Sequence, residues 1–367
     1  MAKRKIMSYL LLKPISLIYG AVTAVRNMLF DRNVIKHKEY DIPVLTVGNI
    51  SMGGAGKTPH TEYLIDRLSQ EYHVAMLSRG YKRRTKGFVL ATENSHVEDI
   101  GDEPYQIYHK FRDRGVIVGV CEKRAVGIDN LREIDPRIDM IILDDAFQHR
   151  YVKPRHAIVL MEYNRPVYHD SLLPFGRLRE PVSALNRADV IVVTKCPDTI
   201  PPIRKRIIQE NLNLFPYQKL LFSRYQYLSP KAVFSEAEDD MPQLILDELT
   251  EKDTVLSVTG VANPRPFVRQ LRKFSAKVKI KRFSDHHNFT HADIQSIAEK
   301  YDMMKGKRKF IITTEKDAMR LKNNPYFPHR LRKYIYYLPI KVEFDGNSEQ
   351  QLDVVIKNLL RNKSLIR

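Results

Sequence analysis

Residues 44–58 constrain this chain most: Val44-Leu45-Thr46-Val47-Gly48-Asn49-Ile50-Ser51-Met52-Gly53-Gly54-Ala55-Gly56-Lys57-Thr58. An apolar strand runs into a glycine-rich turn, then into a helical pattern carrying Leu64, Ile65 and Leu68. Glycines at 53, 54 and 56 allow consecutive backbone N–H groups to turn inward on a phosphate chain, with the positive end of the new helix aimed at the same place. In such a loop Lys57 reaches the β- and γ-phosphates of a nucleotide and the Thr58 hydroxyl ligates Mg2+. The general pattern has a glycine five residues before Gly56, where this chain has Ser51.

A second element completes the chemistry. Met140-Ile141-Ile142-Leu143 is an apolar strand ending in Asp144-Asp145-Ala146-Phe147-Gln148-His149. Adjacent acids at the end of a buried strand repel unless a cation or hydrogen-bond donors compensate, and in phosphate-loop NTPases a carboxylate here holds Mg2+. Further strands at 73–78, 115–120, 157–161 and 190–193 alternate with helical patterns, which predicts a parallel α/β sheet flanked by helices. The loops after these strands face the ligand crevice in such sheets. They include the basic run Arg79-Gly80-Tyr81-Lys82-Arg83-Arg84 and the segment 172–181, where Arg177 and Arg179 offer forked donors to an anion and Glu180 offers to neutralise one of them. In Gly101-Asp102-Glu103-Pro104, Asp102 reads either as a helix N-cap or as a carboxylate acting on an attacking hydroxyl.

The expected organisation is an N-terminal segment 1–38, a nucleotide-binding core 39–200, a proline-bearing connection 201–252 with an acidic cluster at 236–240, and a second, smaller α/β lobe 253–367. In the last of these Asp285-His286-His287 is ambiguous between tuning a carboxylate and simple structure, and Thr290 with Asp293 reads as a capping box. Cys121 and Cys196 are far apart and form no CxxC, which argues against a disulfide scaffold or a cysteine zinc site.

The first segment bears on partners. Lys3-Arg4-Lys5 precedes an apolar run to Leu12, Lys13-Pro14 interrupts, and residues 15–25 are nearly all apolar before Arg26. Neither run reaches the ~20 residues of a spanning helix, so the expectation is a helical segment lying on a bilayer, with Lys13 and Arg26 reaching to anionic headgroups; the rivals are a helix buried in the protein and, with small residues at Ala21-Val22-Thr23-Ala24, a signal peptide. A formal net charge of +18 also favours an anionic partner: a membrane surface, a phosphorylated substrate or nucleic acid. No interleaved basic and aromatic motif for nucleic acid is present, and none is expected as partner.

Taken together these motifs resemble the tetraacyldisaccharide 4'-kinase (lipid A 4'-kinase) family. The resemblance rests on residues 47–59, Ser78-Arg79-Gly80-Tyr81, Gly101-Asp102-Glu103-Pro104, residues 144–149 and 172–181, Gly260-Val261-Ala262-Asn263-Pro264, Phe283-Ser284-Asp285-His286-His287 and residues 313–318. Ser51 matches the hydroxyl residue this family carries there, whereas Ala146, Phe175 and Arg177 depart from its usual pattern. The resemblance implies a P-loop kinase that uses ATP and Mg2+ to phosphorylate the 4'-hydroxyl of a tetraacylated glucosamine disaccharide 1-phosphate, forming lipid IVA. It implies work at the cytoplasmic face of the bacterial inner membrane, peripheral or monotopic, with no obligate protein partner. By the same resemblance Ser51, Met52, Gly53, Gly54, Ala55, Gly56, Lys57 and Thr58 hold the nucleotide. Thr58 and Asp144 position Mg2+ with Asp145 and Glu180 nearby, and Asp102 acts on the acceptor hydroxyl with His286 as its partner. Arg79, Tyr81, Arg124, Gln148, His149, Arg177 and Arg179 are then expected around the acceptor. A membrane-associated partitioning-type ATPase shares the loop and the basic helix, and would hydrolyse ATP without a lipid acceptor.

Overall fold

The structure is a computed structural model and describes residues 2–234, 244–274, 277–285 and 287–361. The acidic cluster 236–240 and His286 lie outside the described residues. In chain order the strands are β1 (Val44–Gly48), β2 (Val74–Ser78), β3 (Val89–Leu90), β4 (Ile117–Val120), β5 (Met140–Asp144), β6 (His156–Glu162), β7 (Val190–Thr194) and β8 (Lys219–Tyr227). They continue with β9 (Lys231–Ala232), β10 (Thr254–Thr259), β11 (Lys277–Arg282), β12 (Lys309–Thr314), β13 (Ile335–Leu338) and β14 (Ile340–Phe344).

The chain divides into two compact units, 1–225 with 342–367, and 226–341. This corrects the expected boundaries. The stretch expected to be a connection supplies the helix Pro202–Leu212 and β8 to the first unit, and the C-terminal helix Gly346–Arg361 falls in the first unit, not in a second lobe ending at 367. A returning segment is invisible to local pattern because its partners lie more than a hundred residues away, as with Phe222 N–H donating to Ser348 Oγ (3.0 Å).

The first unit holds a nine-stranded sheet in the order β14-β8-β7-β6-β1-β5-β2-β4-β3. Pairing is parallel from β4 through to β8, and β3 runs antiparallel to β4. Strands β1, β2, β5 and β7 are buried along their whole length, which is why they read as unbroken apolar runs. After β5 the chain passes to the other side of β1 to lay down β6, so the loops leaving β1 and β5 flank a crevice at their C-terminal ends. The second unit holds a five-stranded sheet, β11-β10-β12-β13-β9, parallel except for β9.

The N-terminal segment is one helix, Ala2–Asp31, continuous through Pro14 where the sequence had implied an interruption. Its faces are inverted relative to a soluble helix. Leu11, Ile15, Ile18, Val22 and Val25, at four- and three-residue spacing, form an exposed apolar stripe. The opposite face is polar and docked: Ser16 Oγ donates to Leu172 O (2.8 Å), Tyr19 Oη to Arg179 O (2.8 Å) and Arg26 to Gln148 O (3.0 Å), with Phe30 buried beyond. No helix among the described residues is long and apolar enough to cross a membrane.

Candidate active site

β1 delivers the chain to a turn that only small residues can make. A Cβ on Gly48 would lie 2.6 Å from Phe147 Cβ, and one on Gly56 would lie 2.1 Å from the Tyr225 hydroxyl, with Gly56 already at φ +96°. Between them Ser51 bridges antiparallel to Leu178, Met52 N–H donates to Arg177 O (2.7 Å) and Arg179 N–H to Ile50 O (2.7 Å). The loop at 172–181 is thus hydrogen-bonded to the start of the glycine turn. Met52, Gly53 and Gly54 are exposed, Ala55 is buried, and Lys57 and Thr58 open the helix Lys57–Leu68 half-buried. That helix has no acidic residue in its first turn, so its N–H groups present an uncompensated positive end.

Lys57 and the acidic pair meet here. Lys57 Nζ lies 3.5 Å from Asp145 Oδ2 and 3.4 Å from Asn49 Oδ1. Asp144 ends β5 fully buried; its Oδ1 accepts from Thr61 Oγ1 (2.9 Å), while its buried Oδ2 has no protein partner. Burial, then the charges of Glu103 and Asp145, raise the Asp144 carboxyl above the ordinary range, opposed by Lys57 and Thr61. Asp145 sits at φ +46°, turning the chain sharply off the strand, and Arg179 Nη1 lies 3.2 Å from its Oδ1. Arg124 is buried at the start of the helix Arg124–Ile134, its Nη1 donating to Cys121 O (2.6 Å) and its Nη2 3.4 Å from Asp144 O. Burial pulls its guanidinium down to about 10 against the opposing pull of Asp144 and Asp145.

A buried carboxylate oxygen with no donor, beside a second carboxylate, fits a hard divalent cation. Such an ion takes one or two carboxylates and completes its shell with water and phosphate oxygens. No cluster of three or more acidic, histidine or cysteine ligands occurs among the described residues.

Other expected residues are placed differently. The Glu180 carboxylate is buried and already receives Arg187 Nη2 (2.6 Å), Asn27 Nδ2 (3.0 Å) and Gln148 Nε2 (3.5 Å). These donors make it a brace between the N-terminal helix and the residues around the acidic pair. Gln148 also donates to Asn49 O (2.7 Å), and Arg177 is paired with Asp170 (3.0 Å) through its side chain, leaving Arg179 as the arginine of that loop at the acidic pair. Burial lowers His149 to about 4, helped by Arg124, which keeps its ring neutral among cations. Arg79 and Tyr81 are exposed at the end of β2, while Arg83 is turned inward to Glu122 (2.6 Å).

Asp102 is the first helical residue of Asp102–Phe111; the cap position is Gly101 at φ +90°, so the N-cap reading of Asp102 moves by one residue. His286 lies outside the described residues, in a stretch assigned to the second unit. Its neighbour His287 holds Asp293 Oδ2 at 2.9 Å, and the Thr290–Asp293 capping box is formed as expected. Sequence reasoning missed Thr61 and Glu103. Thr61 stands one helical turn after Lys57, a spacing that puts both on one face. Glu103 sat unassigned inside the Gly-Asp-Glu-Pro motif.

The profile of the family described as tetraacyldisaccharide-1-P 4'-kinase matches residues 8–360. The chain is 47% identical over 358 residues to the tetraacyldisaccharide 4'-kinase of Bacteroides thetaiotaomicron, covering 96% of this chain and 93% of that protein. It is 41% identical over 351 residues to that of Flavobacterium johnsoniae, with 96% and 97% covered. Among solved structures it resembles "apo" form LpxK from Aquifex aeolicus in complex with ATP, at TM-score 0.71 and 27% identity, covering 98% of this chain and 100% of that one.

Proposed function

This chain belongs to the tetraacyldisaccharide-1-P 4'-kinase family, and on that premise we infer that it transfers the γ-phosphoryl group of ATP to the 4'-hydroxyl of a tetraacylated glucosamine disaccharide 1-phosphate, forming lipid IVA in lipid A biosynthesis. The observation that carries this reading is the meeting of Lys57 with Asp145 at 3.5 Å beside the unpartnered Asp144 oxygen, at the mouth of a glycine turn.

Loop N–H groups and Lys57 hold and neutralise the nucleotide phosphates. Lys57 exchanges its contacts to Asp145 and Asn49 for phosphate oxygens. Thr58 and Asp144 would hold Mg2+, which would supply charge compensation on the phosphates, with Asp145 next in sequence to Asp144. Asp102, at the N-terminal turn that also carries Glu103, orients the acceptor hydroxyl. Because phosphoryl transfer of this kind needs mainly alignment and charge compensation, the clamp around the phosphates outweighs the base.

The N-terminal helix seats the enzyme on the inner leaflet of the inner membrane, where an acylated substrate resides. Its outward apolar stripe and the +18 net charge support this reading, the charge complementing anionic lipid and the substrate phosphate, with no nucleic acid and no obligate protein partner required. Flotation with vesicles of anionic phospholipid tests it: wild type floats, and Ile18→Asp with Val22→Asp stays in the aqueous fraction. Equal flotation of both would remove the helix from the membrane contact.

The reaction is tested with protein in detergent micelles, radiolabelled ATP and the tetraacyl disaccharide 1-phosphate. Label moves to the lipid with wild type and not with Lys57→Ala. ATP hydrolysis without labelled lipid would favour a partitioning-type ATPase.

A further inference from the structure

Three consecutive carbonyls of the glycine turn are each taken by a side chain from behind. Lys195 Nζ donates to Gly54 O, Thr194 Oγ1 donates to Ala55 O (2.8 Å) and His60 Nδ1 lies 2.7 Å from Gly56 O. Thr194 and Lys195 stand at the end of β7, and His60 is in the helix that the turn opens. Thr194 and His60 are almost wholly buried.

Two of the three contacts share one geometric consequence. Across a trans peptide the C=O of one residue and the N–H of the next point to opposite sides. Holding the Ala55 and Gly56 carbonyls to the rear therefore sends the Gly56 and Lys57 N–H groups to the front, toward the crevice. The third carbonyl, Gly54 O, is held by Lys195, while the Ala55 N–H is engaged with Gly53 O (2.9 Å).

Each clamp residue is itself fixed. Gly56 O can only accept, so His60 Nδ1 carries a hydrogen; Nε2 faces Ser223 Oγ at 2.8 Å on β8, tying the turn to that strand. Lys195 adopts φ +56°, a left-handed conformation uncommon for a lysine, which bends the chain back over the turn; its ammonium lies 3.6 Å from Glu162 Oε1. Backbone strain beside a hydrogen-bonded contact to the turn marks a place where the fold is held for a purpose other than packing.

We propose that Thr194, Lys195 and His60 form a rear clamp that presets the N–H donors of the glycine turn for the nucleotide phosphates. They are positioning residues: they act through the backbone of the turn, and they set nucleotide affinity without touching the lipid acceptor. This rests on the reading of the turn as the ATP site.

The test is steady-state kinetics in micelles with both substrates varied, alongside calorimetric ATP binding. Thr194→Val keeps the shape and removes the hydroxyl; it raises KM and Kd for ATP by about tenfold, the weight of one buried hydrogen bond, and leaves KM for the disaccharide within about twofold. Thr194→Ser restores ATP affinity. His60→Asn, whose amide nitrogen can stand in for Nδ1, retains ATP affinity that His60→Leu loses. Combining Thr194→Val with Lys195→Met gives less than the product of the two effects, because both act on one turn. Should Thr194→Val fail to fold by thermal melting, Lys195→Met, at a partly exposed position, carries the same measurement. Unchanged ATP affinity, or an equal rise in KM for both substrates, overturns the clamp. Lys57→Ala separates the two readings: if it retains transfer the ATP site itself is misplaced, and if it is inactive while the clamp variants bind ATP normally only the clamp fails.

Discussion

Asp144 in the first unit and Asp317 in the second are both buried aspartates just after or at the end of a parallel strand, and burial raises the carboxyl of each. Their surroundings differ. Asp317 receives the Gly260 N–H (2.8 Å), the Thr314 hydroxyl (2.8 Å) and Arg320 Nη1 (3.2 Å), so its carboxylate is spent on holding β10 and β12 together. Asp144 receives one hydroxyl and leaves its other oxygen unpartnered beside Lys57 and Asp145. A buried acid whose lone pairs are filled is scaffold; one with a lone pair left over, among charges that only a cation can reconcile, is equipped for chemistry.

The comparison is broken or sharpened by four substitutions. Asp144→Asn has the largest effect expected: turnover falls about a thousandfold, the loss that the proposed role of Asp144 in holding Mg2+ requires. Its stability moves the other way. The folded carboxyl is raised above its unfolded value, so wild type is most stable with the group protonated and loses stability as pH rises and the group ionises in a buried site that Thr61 and Lys57 only partly offset. Ligand-free Asp144→Asn therefore melts higher than wild type at pH 8, and the gap closes toward pH 4. A lower melting temperature at pH 8 would show that Asp144 is already satisfied.

Asp317→Ala removes a buried acceptor of the Gly260 N–H, the Thr314 hydroxyl and Arg320 and lowers unfolding stability by about 3 kcal/mol, read by denaturant titration, while kcat of the folded fraction holds within about twofold. A loss of kcat beyond that would place the second unit's aspartate in the chemistry and dissolve the contrast. Gly101→Ala forces a Cβ to 3.0 Å from Tyr81 O at φ +90° and costs about 1–2 kcal/mol; because it disturbs the turn carrying Asp102 and Glu103, turnover falls further than stability alone accounts for. The smallest effect belongs to Asp293→Ala, about 1 kcal/mol at pH 7. Hydrogen bonds from Thr290, with His287 assisting, hold the Asp293 carboxyl near about 2. That contribution is complete above the unfolded value of about 4 and disappears as pH falls toward 2, so mutant and wild type converge in acid.

The elements that local chemistry dictates were legible. The apolar runs at 73–78 and 140–143 give the buried parallel strands β2 and β5, and Thr290 with Asp293 forms its capping box. Glu180 was not legible: a carboxylate just after two arginines in sequence looks paired with them, and its actual donors come from residues 27, 148 and 187. Nor was the division of the chain, because β14 joins the sheet beside β8 across an excursion through the second unit.

What the sequence by itself determined is therefore the inventory: a glycine turn followed by Lys57-Thr58, an acidic pair after an apolar strand, and enough further motifs in order to identify the family. Those depend on backbone sterics and on the alternation of strand and helix, which act over a few residues. Only the tertiary structure decided which lone pairs remain, that the N-terminal helix turns its polar face to Leu172 and Glu180 and its apolar face outward, and that side chains from β7 and from its own helix hold the turn from behind. Those outcomes depend on contacts between segments far apart in the chain, and a hydrogen bond is satisfied or left open only once both partners are in place.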